Sequence, residues 1–217
     1  LARERNGRRT RPTLPATVDE SEPEKRRAIL HAAVKVFAEK GYHGCRIADV
    51  AKQAGVAYGL VYHYFQNKDE LLESVFAEQW TIFINALKAI SDGPGTAPEQ
   101  LAGMCRFAVD VFRTAPAAVR VLLLEITRTP SGYRGGSTRQ TFEAALTIVA
   151  EVVRRGQERG EVRAGADPMV AAAGVLGAIE LTLTGMVVGL LGGVSDDEIE
   201  RVKQGVVDLV LAGLASR

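Results

Sequence analysis

An all-α fold is what three observations on this 217-residue chain predict. Apolar residues recur at helical spacing from Glu24 to the end, no apolar-polar alternation lasts long enough to demand a strand, and the interruptions are short runs rich in glycine and proline. With 47% hydrophobic and 24% charged residues the chain can bury a core, which excludes a wholly disordered or fibrous protein. The expectation is about nine helices, divided between a small N-terminal domain and a larger C-terminal one.

Residues 1–22 carry Arg3, Arg5, Arg8, Arg9 and Arg11 among prolines and read as a flexible basic arm. No apolar run follows these arginines, so they do not begin a secretion signal. The first helix should run from about Pro23 to Lys40 on the stripe Ile29, Leu30, Ala33, Val34 and Phe37, with Pro23 in its first turn and Gly41 as a left-handed stop. Two short helices, Arg46 to Gln53 and Ala57 to Phe65, flank a turn at Gly55. Asn67 and Glu70 resemble a capping box that opens a long helix to about Ile90. The stretch Ser91 to Pro98 is the clearest break. Four further helical stretches are divided at Pro116, at residues 130–136 and at residues 160–168. The last begins at Ser195, with Glu198 as its capping partner, and carries Ile199, Val202, Val206, Leu209 and Val210 on one face.

Met169 to Leu191 is long and apolar enough to span a bilayer and holds a single charge, Glu180. A buried helix in a bundle or a subunit interface explains it better. Glu180 and two threonines lie centrally, glycines and alanines dilute the apolar character, and Gly192 to Glu200 offers only acidic charge where a basic flank would set orientation. No membrane is expected as a partner. Cys45 and Cys105 stand sixty residues apart with no CxxC spacing, which suggests neither a disulfide framework nor a zinc site and places the chain in the cytoplasm.

The net charge of +1 conceals an asymmetry. Residues 1–68 hold 13 Lys+Arg against 7 Asp+Glu, whereas residues 69–217 hold 14 against 19. A basic end joined to an acidic body points to a polyanion at one end. Within the basic end lies Cys45 to Lys68, two short helices with a tight glycine turn, the layout of a helix-turn-helix whose second helix enters the major groove.

Glu39-Lys40-Gly41-Tyr42, Ile47-Ala48-Asp49-Val50-Ala51, Ala54-Gly55-Val56, Gly59, Tyr62, Tyr64-Phe65, Lys68 and Leu71-Leu72 together resemble the N-terminal domain of TetR/AcrR-type repressors. The resemblance spans about Glu24 to Phe76 and combines about fifteen positions at fixed spacing, far more specific than one short motif. It implies a helix-turn-helix DNA-binding domain over 23–68 and a ligand-binding and dimerisation domain over 69–217, with a double-stranded DNA operator as partner. Carried over position by position, Ala57, Tyr58, Gly59 and Leu60 match the leading turn of the recognition helix. Tyr62 and His63 match its phosphate or base contacts, and Lys68 matches a phosphate contact at the start of the fourth helix. Leu60 departs from the polar residue usual there, and contact with a thymine methyl is its natural substitute. Cys45-Arg46 replaces the usual Ser or Thr cap of the second helix, at a cost of roughly 1 kcal/mol, and Arg46 gains a phosphate in exchange. For Arg5, Arg8, Arg9 and Arg11 of the arm, DNA contact and a plain solvated charge run are equally good readings.

All three histidines lie before residue 64, and no GxSxG, Walker A or GxGxxG motif occurs, so no metal site, cofactor or catalysis is expected. Apolar stripes in the second domain are mainly core, but their surplus around isolated polar groups is what a ligand pocket requires. The candidate set is Phe83, Met104, Ala108, Phe112, Leu123, Glu125, Arg128, Phe142, Leu146 and Glu180. Within the family this layout looks like the fatty-acid-responsive members, including acyl-CoA sensors, while aromatic and multidrug-type ligands remain open. A homodimer is expected through the eighth and ninth helices, using Leu181, Gly185, Val188, Gly189, Ile199, Val202, Val206, Leu209 and Val210. Gly185 and Gly189 would permit close helix approach. The resulting reading is a repressor released from a palindromic operator by a small apolar or amphipathic effector. An activator of the same fold, or a helical carrier or enzyme with a vestigial helix-turn-helix, shares parts of the pattern.

Overall fold

The computed structural model describes residues 22–125, 136–192 and 195–215. Arg5, Arg8, Arg9, Arg11 and Arg128 lie outside these residues, as does the side chain of Glu125. The described residues form nine α-helices and one isolated β-bridge, Val162 to Ala215, in agreement with the all-α expectation.

Helix α1 (Glu22–Gly44) places Glu22 and Glu24 in its first turn, where carboxylates complement the helix dipole. Regular helix breaks at Gly41 as expected, though at φ 70° and ψ 161° it takes the extended positive-φ conformation open to glycine rather than the left-handed helical one. α2 (Ile47–Ala54) follows, shifted one residue along the chain from the expected span, and then α3 (Tyr58–Tyr64), one residue shorter at either end than the sequence suggests. Between them Gly55, at φ 69°, donates to the Lys52 carbonyl while Val56 donates to that of Ala51, which closes α2 and reverses the chain. α4 (Lys68–Asp92) opens on Asn67, whose side chain accepts from the Glu70 amide at 2.8 Å. Glu70 completes the cap on the Gln66 amide rather than on that of Asn67.

Ile29, Leu30, Phe37, Val50, Val61 and Phe65 form the core of this head. The same core takes in Leu71, Leu72 and Val75 of α4, so its packing does not end at Lys68. It also receives Ala118 and Val121 from α6 (Pro116–Arg120) and the single π turn, Val121–Glu125, that extends α6.

The body is arranged around α5 (Ala97–Thr114), which α4, α7 (Gly136–Glu158), α8 (Pro168–Val187) and α9 (Asp196–Leu214) surround. Thr96 and Glu99 form a reciprocal capping box at its start. α7 crosses that start closely at Gly156, where an added Cβ would lie 2.5 Å from the Ala97 Cβ and 2.7 Å from Val162. On the far side the Lys203 ammonium of α9 pairs with Asp110 of α5 at 2.7 Å and with Glu200 at 2.5 Å. The hydrogen bonds that the ammonium donates to Asp110 and Glu200 hold it above its ordinary pKa.

Two expectations for α8 and α9 need correction. α8 meets the length and composition criterion for a membrane span, yet it is neither wholly buried nor wholly exposed. Ala172, Val175, Ile179, Leu183 and Met186 pack into the body, while Val170, Ala173, Gly174, Gly177 and Leu181 form an open face. Ile199, Val202, Val206 and Val210 are buried in the chain's own core, because α9 spends its main apolar stripe on α5. Gly185 is filled from within the chain: a Cβ there would come 2.7 Å from the Leu191 side chain. Gly189 serves the turn that ends α8, at φ 76°. Leu181, Val188 and Leu209 alone among the side chains expected at an interface stand exposed.

Candidate nucleic-acid interface and ligand cavity

The turn of α3 that faces outward carries Ala57, Tyr58, Gly59, Tyr62 and His63, all exposed, with Leu60 half-buried beside them. Val61 and Phe65 are the inward anchors that hold this face in place. Tyr58 and Tyr62, one turn apart, meet edge to face at 5.2 Å, and their hydroxyls lie 3.2 Å apart. That contact raises the Tyr62 pKa above its ordinary value. The pair is a pre-positioned couple of hydroxyls on an aromatic ridge, suited to phosphate or groove-wall contacts. No Arg, Lys, Asn or Gln lies between Ala57 and Phe65, so this helix offers no bidentate base reading of its own.

Lys68 takes a more structural position than its motif suggests. Its ammonium donates to the carbonyls of Tyr42 at 2.7 Å and Cys45 at 3.1 Å and lies 4.4 Å from the centre of the Tyr42 ring. These bonds occupy two of its three N–H groups. The Tyr42 hydroxyl in turn donates to Asp69, and burial together with that carboxylate pushes the phenol well above its ordinary pKa. The start of α4 is thereby clamped to the turn between α1 and α2.

The Ser or Thr cap missing at Cys45-Arg46 is supplied from the other direction. Asp49, in the first turn of α2, accepts from the Arg46 amide at 2.8 Å and from the Lys40 ammonium at 2.7 Å. Those two contacts lower its pKa. The Arg46 side chain remains exposed at the rim of the same surface. His63 lies 3.7 Å from Glu22, and Tyr64 donates to the Glu22 carbonyl at 3.2 Å, so α1 begins beside the end of the recognition helix.

A cavity of about 100 Å³ lies in the body between α4, α5, the π turn, α7 and α8. Phe83, Ala108, Leu123, Phe142 and Glu180 of the expected set line it. Met104 and Phe112 belong instead to the core, and Leu146 packs against that core, because the α5 and α7 stripes are wider than the cavity they border. Sequence reasoning missed Phe76 and Trp80 on α4, Val119 and Leu122 near the π turn, and Leu176 and Ile179 on α8. The α4 residues were discoverable: Phe76, Trp80 and Phe83 recur at i, i+4 and i+7, one face of a helix otherwise read as a connector. Trp80 is the hub of an aromatic cluster, with ring centres 5.8 Å from Phe76, 5.3 Å from Phe83 and 5.0 Å from Phe142. Its indole N–H is buried and has no acceptor among the described residues. Glu180 is the ionisable residue on the described wall, and it is exposed at the rim.

Residues 29–75 match the family model described as bacterial regulatory proteins, tetR family. Over 191 residues, 87% of this chain and 95% of the relative, the sequence is 29% identical to the fatty acid metabolism regulator protein of Bacillus subtilis (strain 168). It is 30% identical to the HTH-type transcriptional regulator BetI of Klebsiella pneumoniae (strain 342) over 106 residues, 47% of this chain and 53% of that protein. Among solved structures, the transcriptional regulator FadR from Bacillus subtilis in complex with stearoyl-CoA aligns with a TM-score of 0.76 at 29% identity, covering 86% of this chain and 98% of that one. The fatty acid degradation regulator FadR from Bacillus halodurans aligns with a TM-score of 0.80 at 25% identity, covering 91% of this chain and 100% of that one.

Proposed function

The chain belongs to the tetR family of bacterial regulatory proteins, and from that membership we propose that it is a transcriptional repressor: a homodimer on a palindromic operator, released when a long-chain acyl-CoA enters its body cavity. As a member it is a transcription regulator and not an enzyme. The acyl-CoA reading is supported by the similarity over nearly the whole chain to a FadR that holds stearoyl-CoA, and by the apolar, aromatic wall of the cavity.

One observation carries the coupling: the cavity and the head share two helices. Lys68 is clamped to the head at the start of α4, and Phe76, Trp80 and Phe83 of the same helix line the cavity. In α6 and its π turn, Ala118 and Val121 sit in the head core while Val119, Leu122 and Leu123 face the cavity. At about 100 Å³ the cavity is smaller than the roughly 150 Å³ that holds a benzene ring. A long acyl chain therefore has to push the walls apart, and two of those walls end in the head. The ligand acts because it binds the widened form better than this one.

The second copy fits the open face of α8 and α9. Val170, Leu181 and Leu209 project from it at 70, 73 and 66% exposure. Between them Gly174, Gly177, Gly205 and Gly213 would meet nothing within 4 Å of an added Cβ, so a partner backbone can approach closely. Two-fold pairing there would present two copies of α3 to successive major grooves, roughly 34 to 36 Å apart. The lipid alternative for α8 has less support, since one face of it, Ala172, Val175, Ile179, Leu183 and Met186, already packs against this chain.

The test is a mobility-shift titration with a palindrome from the DNA upstream of the gene, with and without stearoyl-CoA. Binding at low salt and release by the acyl-CoA are expected. Folded dimer that ignores the DNA, or holds it equally with ligand present, overturns the reading.

A further inference from the structure

The cavity wall contains one feature that an acyl chain alone does not explain. A donor buried without an acceptor is costly, and such groups are rare in folded proteins unless something else completes them. Here the donor is the Trp80 indole N–H, in a wall otherwise built from hydrocarbon and aromatic rings. Nor is the indole a loose surface group: Phe76, Phe83 and Phe142 pack around it on three sides. Glu180, the ionisable residue on the described wall, lies exposed at the rim.

Resting on the acyl-CoA reading above, we infer that Trp80 Nε1 donates a hydrogen bond to an uncharged oxygen of the effector, so that the cavity selects an apolar chain bearing a carbonyl or hydroxyl oxygen over a plain hydrocarbon chain. Among the described lining residues Trp80 alone carries a side-chain N–H, neutral at every pH in use; Nε1 is covered in this form, so a ligand oxygen reaches it as the walls move apart. The Glu180 carboxylate at the rim opposes an anionic oxygen nearby and leaves a neutral one unaffected. Two sources carry this chemistry: the thioester carbonyl that every acyl-CoA possesses, and an oxygen substituent borne further along the chain. In either case the hydrogen bond is formed in a water-poor site, where the alternative is an unsatisfied donor, so its loss is felt in full.

Trp80 is the single tryptophan of the chain, so the full-length protein reports on itself. In a 1H-15N spectrum its one indole Hε1 resonance should move downfield when a ligand that supplies the acceptor oxygen binds. Three ligands separate the sources: stearoyl-CoA, S-octadecyl-CoA, which replaces the thioester carbonyl by a methylene, and 12-hydroxystearoyl-CoA. If the thioester is the acceptor, S-octadecyl-CoA binds roughly three- to tenfold more weakly than stearoyl-CoA and leaves the resonance unshifted. If a chain oxygen is the acceptor, 12-hydroxystearoyl-CoA binds more tightly than stearoyl-CoA by a similar factor, and it alone moves the resonance. In the Trp80→Phe protein, which keeps an aromatic ring and removes the donor, whichever preference exists should fall to near unity. The inference is overturned if all three bind wild type alike, or if the preference survives in Trp80→Phe with the indole resonance of wild type insensitive to ligand oxygen. Failure of all three to bind would instead overturn the acyl-CoA reading itself, and the inference with it.

Discussion

Lys68 ties the start of α4 to the turn between α1 and α2, and the proposed function gives it a phosphate as well. Two of its N–H groups satisfy the carbonyls of Tyr42 and Cys45. Lys68→Ala should therefore destabilise the head by roughly 1–3 kcal/mol, read as a lower melting temperature, and also weaken DNA binding evenly across sequences with a salt slope smaller by about 1. A variant that melts early but keeps the full salt slope would confine Lys68 to structure. Asp49 is a contrasting case. Its pKa is lowered in the folded chain by Lys40 and the Arg46 amide, so its contribution is fully present above the ordinary carboxylate pKa and is lost as pH falls through the lower folded value. The stability lost in Asp49→Asn at pH 7 should accordingly shrink as the pH is lowered below the ordinary carboxylate pKa, in denaturant melts over a series of acid pH values. The motif made Lys68 legible, but not its carbonyl partners, because they come from a turn 23 and 26 residues away. Asp49 could be read as a family position and not as the missing cap, since sequence rules look for the cap at the residue before the helix. Cys105 lies buried in the core of the body. Burial pushes its thiol up to about 11, so it should resist iodoacetamide at pH 8 until denaturant is added, as mass spectrometry would show.

At the scale of elements, periodicity and punctuation predicted most helices, since Gly41, Gly55, Asn67, Thr96 and Ser195 mark their ends by local chemistry that needs no tertiary partner. Which apolar stripe faces core, cavity or a second copy was not legible. A stripe records only that a face avoids water. The α9 stripe Ile199, Val202, Val206 and Val210 was expected at a dimer interface and lies instead against α5, while the flatter glycine-rich faces of α8 and α9 are the ones left open. The α4 aromatics were overlooked for the same reason: a helix that joins two domains has apolar residues on more than one side. Helix crossings impose their own limit at Gly156. Gly156→Ala would drive a methyl to within 2.7 Å of two apolar side chains, and overpacking of that kind should cost roughly 1–3 kcal/mol, lowering the melting temperature without touching the head. The open face gives a converse prediction. Leu181→Glu combined with Leu209→Glu, both exposed in the single chain, should leave the fold intact and convert a dimer to a monomer in sedimentation, with operator binding lost. A double variant that still sediments as a dimer would place the interface elsewhere.

Over the whole molecule, the basic first third and the acidic remainder correspond to a head that presents α3 and a body that encloses a cavity. α3 itself carries no Lys or Arg, so on the proposed function attraction to DNA rests on Arg46, Lys68 and the charge of the surrounding chain, while α3 contributes shape, hydroxyls and methyl contact. Salt should accordingly weaken binding strongly, and sequence preference should centre on thymine methyls and groove shape. The central claim is that cavity and head are thermodynamically linked through α4 and α6. Linkage is reciprocal, so the factor by which stearoyl-CoA weakens operator affinity must equal the factor by which operator weakens stearoyl-CoA affinity. The most direct measurement is the stearoyl-CoA dissociation constant of the free protein and of the operator complex, by calorimetry at one salt concentration. The account predicts weaker ligand binding to the complex, by the factor seen in the DNA titration; equal affinity for both forms would contradict it.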